Sequence, residues 1–204
     1  MSKKVRFIVL WSKNPRPLLP YLDYLKEKNI DCYIQYTLND YEKVELERGV
    51  RPLTERIDTF KKLVDVLGKG SVIWRFDSML LTNNISVDDL LEKVRNIGSQ
   101  LKDYTEKLVF SYADIKTYKK VKTEKVPAPS LFGESELPKG AILLPNNRYF
   151  ISTHKKDPGQ RQFCECMASK DIGEYKTCLH LCEYCYANAT KLLALRNWKC
   201  YKQT

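Results

Sequence analysis

Residues 7–11 read Phe-Ile-Val-Leu-Trp, an unbroken apolar run of strand length. A run without polar alternation predicts a parallel strand buried on both faces. It stops at Ser12-Lys13-Asn14-Pro15, a turn signal. Beyond the turn, Leu18, Leu19, Leu22 and Leu25 recur at helical spacing, with Pro17 placed for a first turn. The same alternation then repeats. Cys32–Leu38 (C-Y-I-Q-Y-T-L) predicts a second strand. Pro52–Leu67 predicts a helix with Leu53, Ile57, Phe60, Leu63, Val64 and Leu67 on one stripe, ended by Gly68 and Gly70. Val72–Asp77 (V-I-W-R-F-D) opens a third strand. Ser86, followed by Asp88 and Asp89, caps a helix from Val87 to about Tyr104 with Leu90, Leu91, Val94 and Ile97 as its apolar face. Leu108–Tyr112 predicts a fourth strand, ending at Ala113-Asp114. This β-α-β-α-β-α-β order implies parallel strands joined by crossovers. The expected fold is therefore α/β: a partial (β/α) barrel or open parallel sheet of about four βα units, short of the eight that close a barrel.

After Asp114 the texture changes. Residues 115–150 hold a lysine-rich stretch and then V-P-A-P-S, L-P-K-G and L-P-N-N, all loop signals. The chain thus divides into a βα partial-barrel domain (1–114), a basic and Pro-rich connector (115–150), and a cysteine-rich cluster-binding segment packed on the barrel (151–204). That segment ends in a short closing helix, Ala187–Trp198, with Leu192, Leu193 and Leu195 as its apolar face. With 43% apolar residues the chain can bury a core. No apolar run reaches the roughly 18–20 residues of a membrane span, so no membrane partner is expected. The start, M-S-K-K-V-R-F-I-V-L-W, lacks the cleavage site of a secretory signal, which points to the cytoplasm. In that compartment clustered cysteines mean metal or redox chemistry rather than disulfides. The net charge of +10 is uneven: residues 1–114 carry 19 Lys/Arg against 17 Asp/Glu, residues 115–204 carry 16 against 8. A basic C-terminal half suits nucleic acid as a partner, and equally a solvated lysine-rich linker over Lys116–Lys125.

Ligands of parallel α/β sheets bind where strands end, at the βα loops. That rule selects Lys13 and Asn14 after the first strand, Gln35 and Thr37 on the second, Arg75 and Asp77 on the third, and Ser111 and Asp114 at the fourth. Arg75 and Asp77 are two apart and so share a face of the sheet. Two readings stand: the pair binds a zwitterionic ligand, or its members pair with each other and their neighbours as a structural polar layer.

Five of the seven cysteines fall within residues 164–185. Cys178, Cys182 and Cys185 stand at C-x₃-C-x₂-C spacing, with Cys164 and Cys166 upstream. Three thiolates in one loop can each take one iron of a [4Fe–4S] cluster. The fourth iron is then open to the amine and carboxylate of S-adenosylmethionine, whose reductive cleavage gives a 5′-deoxyadenosyl radical and requires an electron donor. The alternative is zinc, held by the same three cysteines with Cys164, Cys166, His154 or His180.

The loop C-L-H-L-C-E-Y-C-Y-A resembles the cluster loop of radical S-adenosylmethionine enzymes, especially relatives of spore photoproduct lyase. Across most of its length the chain resembles the prokaryotic family called domain of unknown function 1848. The resemblance is carried by W-S-K-N-P (Trp11–Pro15), Y-I-Q-Y-T-L, P-L-T-E-R-I (Pro52–Ile57), V-I-W-R-F-D, F-S-Y-A-D (Phe110–Asp114), D-P-G-Q-R (Asp157–Arg161) and C-E-C-M-A-S-K-D-I-G-E-Y-K-T-C. It implies a radical-enzyme-like barrel with its cluster motif at the C-terminal end, in a shortened form with less βα material than family members carry. The resulting expectation is an iron–sulfur protein with radical chemistry on an unknown substrate. The alternatives are a non-catalytic zinc protein that binds nucleic acid, or a degenerate paralogue with a structural cluster.

Overall fold

The computed structural model of the chain describes residues 7–112, 141–143, 149–151, 172–185 and 187–201. Four strands, β1 (Phe7–Ser12), β2 (Asp31–Thr37), β3 (Val72–Met79) and β4 (Leu108–Tyr112), form one parallel sheet in the order β1-β2-β3-β4. The sheet is open. Each crossover carries helix: a 3₁₀ segment (Arg16–Tyr21) with α1 (Leu22–Glu27), then α2 (Leu53–Leu67), then α3 (Val87–Leu101).

One face of the sheet holds the core. Ile34 and Tyr36 of β2 and Val72, Trp74 and Phe76 of β3 are buried with Ile57, Phe60 and Leu63 of α2 and Leu90, Ile97 and Leu101 of α3. Tyr36 stacks on Phe60, the ring centroids 5.8 Å apart. At Gly98 α3 passes the Trp74 indole at a distance where a Cβ would make ordinary van der Waals contact, 3.5 Å. Each such side chain contributes about 1.5–3 kcal/mol by leaving water, so this one face outweighs any surface ion pair in the molecule. Ser86 starts α3 through a capping box: its hydroxyl accepts from the Asp89 N–H at 3.2 Å and its own N–H donates to the Asp89 carboxylate at 2.8 Å.

Three expectations are corrected. The run Leu18–Leu25 is not one helix, because Pro20 has no N–H to donate and its ring crowds the preceding turn; a 3₁₀ segment precedes a six-residue α1. The first strand is not buried on both faces. Ile8 and Leu10 turn inward, but Phe7, Val9 and Trp11 are exposed, since β1 is an edge strand whose second face no described element covers. The closing helix, α4 (Lys191–Tyr201), begins later than expected, where Thr190 Oγ1 accepts from the Leu193 N–H at 3.1 Å. Its buried residue is Ala194, while Leu192 and Leu195 are exposed.

The chain forms two compact units: residues 1–126 with 175–204, and residues 127–174. In the second, β5 (Ala141–Leu143) pairs antiparallel with β6 (Tyr149–Ile151). Among the described residues no helix is long and apolar enough to cross a membrane.

Candidate functional site

Parallel pairing brings four of the selected polar residues into one row. Register sets Trp11 beside Gln35, Thr37 beside Arg75, and Asp77 beside Ser111. The Arg75 guanidinium donates to the Gln35 amide oxygen and to Asp77, and the Ser111 hydroxyl donates to the other Asp77 oxygen. Trp11 lies against the guanidinium, 5.4 Å from ring centroid to Cζ. Burial alone would raise the Asp77 pKa. The hydrogen bonds from Ser111 and Arg75, and the Arg75 charge, outweigh it and hold the carboxyl below its ordinary value. Thr37 sits half-buried at the end of β2. Asp114, Cys164 and Cys166 lie outside the described residues.

A second network adjoins the first through Asn39, two residues past β2. Its amide oxygen accepts from the Asp77 N–H at 3.0 Å, and its NH₂ donates to the Asp77 carbonyl at 2.9 Å and to Glu47 at 3.0 Å. Glu47 is buried in the loop between β2 and α2. One of its oxygens accepts from Lys13 at 2.6 Å, from Asn39 and from the Tyr184 hydroxyl. Lys13, just past β1, also donates to the Tyr184 oxygen at 3.0 Å. The second Glu47 oxygen faces Arg56 at 3.9 Å, and among the described residues neither it nor the facing Nη1 has a hydrogen-bond partner. Burial would raise the Glu47 pKa, but the charge and hydrogen bond of Lys13, with Tyr184 and Arg56 behind them, hold it low.

The cysteine loop is seated on this network. Cys182 bridges antiparallel to Glu47, flanked by two backbone hydrogen bonds: Glu183 N–H to Leu46 at 2.9 Å and Gly49 N–H to His180 at 2.9 Å. Gly49 is required by the approach, since a Cβ there would stand 2.0 Å from the Leu179 carbonyl oxygen. Asn188 donates to the Cys178 carbonyl at 2.8 Å. Cys178, Cys182 and Cys185 carry free thiols, Cys182 buried and the others half-buried. Cys182 and Cys185 line a half-open pocket of about 200 Å³ with Asn188, Thr190 and Lys191. Burial pushes the Cys182 thiol up to about 12, Lys13 opposing and Glu47 adding to the rise. Cys178 is also raised, by burial first, and burial lowers His180.

The family model for the domain of unknown function DUF1848 matches residues 1–136 and 139–187. The chain belongs to this family. The DUF1848 match spans the four parallel strands and all three cysteines of the loop. No curated protein and no solved structure matches the chain.

The residues of this DUF1848 chain fit a thiolate-held group by donor type. Three free thiols come from one anchored loop and two of them line a pocket. Among the described residues, no three His, Cys, Asp or Glu side chains are gathered to hold a single metal ion.

Sequence reasoning selected Gln35, Arg75, Asp77 and Ser111, which the fold brings together, and Lys13. It passed over Asn39, Glu47, Arg56 and Tyr184. Asn39 obeys the strand-end rule and was within reach of it. Glu47 sits in E-K-V-E-L-E-R, which reads as a solvated charged stretch.

Proposed function

We propose that this DUF1848 protein is an iron–sulfur protein of the radical S-adenosylmethionine type, its [4Fe–4S] cluster held by Cys178, Cys182 and Cys185. The observation that carries the reading is the seating of the three-cysteine loop at the C-terminal ends of β1, β2 and β3, beside the Gln35–Arg75–Asp77–Ser111 row. When bound there by the three thiolates, such a cluster would supply the electron for reductive cleavage of S-adenosylmethionine.

The chain's own groups do the rest. The three thiols must lose their protons on binding, so assembly would be proton-coupled. Lys13, Glu47 and Tyr184 fix the loop on the sheet. Arg75 and Asp77, ion-paired to each other, set a guanidinium and a carboxylate side by side, and a ligand carrying a carboxylate and an amine would complement them by taking over part of that pair. Gln35 and Ser111 orient that pair.

The test is anaerobic purification and reconstitution with iron and sulfide. About four irons per chain, with broad absorption near roughly 400 nm, supports the cluster. Addition of reductant and S-adenosylmethionine then yields 5′-deoxyadenosine. An iron-loaded protein that releases none under several reductants contradicts turnover. A colourless protein with one zinc contradicts the cluster itself.

A further inference from the structure

The cysteine loop is held by more than its own backbone. Tyr184 lies between Cys182 and Cys185 in sequence, and its ring packs edge-on against Tyr41, with centroids 6.2 Å apart. Lys13 Nζ stands 5.4 Å from that ring's centroid. The hydroxyl donates to Glu47, whose side chain is 2% exposed and whose same oxygen also accepts from Lys13 and Asn39. Asn39 in turn is bonded to both the N–H and the carbonyl of Asp77. One carboxylate therefore joins groups just past β1 and β2, and through Asn39 the backbone of β3, to the residue between two of the cysteines. A fully buried charge in that position costs folding free energy unless each partner is present, which ties the loop's seat to the network's completeness.

We propose that Glu47 is a positioning residue for the cysteine loop, which through Tyr184 sets where Cys182 and Cys185 stand relative to the ends of β1, β2 and β3. The consequence for cluster binding rests on the iron–sulfur reading; the positioning itself does not. Glu47 touches no substrate or cofactor in this role. It acts through Tyr184, whose hydroxyl it orients, and through the strand-like pairing with Cys182.

The experiment uses the full chain, metal-free and reduced, and follows iodoacetamide alkylation of Cys182 by peptide mass spectrometry. The variants are Tyr184→Phe, Glu47→Ala and Glu47→Gln, with Ile97→Val in α3 as a core truncation remote in sequence from the loop. Tyr184→Phe and Glu47→Ala should raise the Cys182 rate about tenfold or more, the scale of losing one charge-assisted hydrogen bond from a local opening equilibrium. Glu47→Gln, whose amide oxygen still accepts from Tyr184, should recover part of the protection. Ile97→Val should lower global stability and leave the Cys182 rate near wild type. Unchanged labelling in Tyr184→Phe, or an equal rise in Ile97→Val, overturns the proposal. Should Glu47→Ala fail to fold, Glu47→Gln decides: a wild-type Cys182 rate in it, beside a raised rate in Tyr184→Phe, assigns the seat to Lys13 and Asn39 and overturns the proposal. In iron-reconstituted protein the same variants should show an altered electron paramagnetic resonance spectrum while Ile97→Val keeps the wild-type one. Wild type that takes up no iron while the variants still expose Cys182 leaves the positioning intact and refutes the cluster. Wild type that takes up iron while the variants match it in labelling and spectrum refutes the positioning.

Discussion

Gly49→Ala tests whether the cysteine loop is seated by a direct backbone approach. The added Cβ would meet the Leu179 carbonyl oxygen at 2.0 Å, well inside the 3.0 Å that real Cβ atoms respect, and the obstacle is backbone, which cannot swing aside. The two segments must separate by at least the difference. Separation strains or breaks the Gly49 N–H bond to His180, now 2.9 Å. Overpacking of this kind costs about 1–3 kcal/mol, and a lost hydrogen bond about 1 kcal/mol. The reduced freedom of the unfolded alanine chain returns about 0.4–1 kcal/mol. A net loss of about 2 kcal/mol follows. If the loss is global, a chain of this length melts roughly 4–8 °C lower. If the loop lifts while the sheet survives, the melting temperature holds and Cys182 alkylation rises about 30-fold, the same free energy expressed locally. Thermal melting and peptide-resolved labelling together cover both routes. Gly49→Ala with a wild-type melting temperature and wild-type Cys182 labelling would refute the reasoning.

Other outcomes follow from the same structure. Ser86→Ala removes the acceptor for the Asp89 N–H at the start of α3 and should cost about 1 kcal/mol; an unchanged melting temperature contradicts it. Phe60→Ala empties a fully buried position stacked on Tyr36 and should cost about 3–5 kcal/mol, read as a lower urea midpoint at constant slope; a loss under about 1 kcal/mol sinks it. Asp77 has a folded pKa below its unfolded one, so its contribution is present above the unfolded value, about 3.9, and fades as pH falls through the folded value. The stability difference between wild type and Asp77→Asn, from urea titrations, should therefore be constant above about pH 5 and shrink below it. A difference that stays level into acid contradicts the assignment.

Most of the fold was legible because its period is local. Apolar runs over Phe7–Trp11, Cys32–Leu38, Val72–Asp77 and Leu108–Tyr112, separated by stripes such as Leu53 to Leu67, can bury their apolar faces only as parallel strands and crossovers. What local pattern could not show was which face has a cover. Phe7, Val9 and Trp11 are as apolar as Ile8 and Leu10, and they are exposed because no described element covers their face of the edge strand. The Leu18–Leu25 spacing hid the break at Pro20, since periodicity carries no information on a missing N–H. In the site, Arg75, Asp77, Gln35 and Ser111 could be chosen because register in a parallel sheet follows from the strands themselves. Glu47 could not. Its partners, Lys13, Asn39 and Tyr184, lie 34, 8 and 137 residues away, and nothing in its own neighbours separates it from a surface glutamate.

Cys178, Cys182 and Cys185 are proposed to bind a [4Fe–4S] cluster. The most direct test is iron and sulfide content after anaerobic reconstitution, compared between wild type and the chain with all three cysteines changed to serine. The claim predicts about four irons and four sulfides per wild-type chain and essentially none in the variant, both chains keeping the circular dichroism of a folded α/β protein. Equal iron in the two chains, or zinc in place of iron in the wild type, would contradict it.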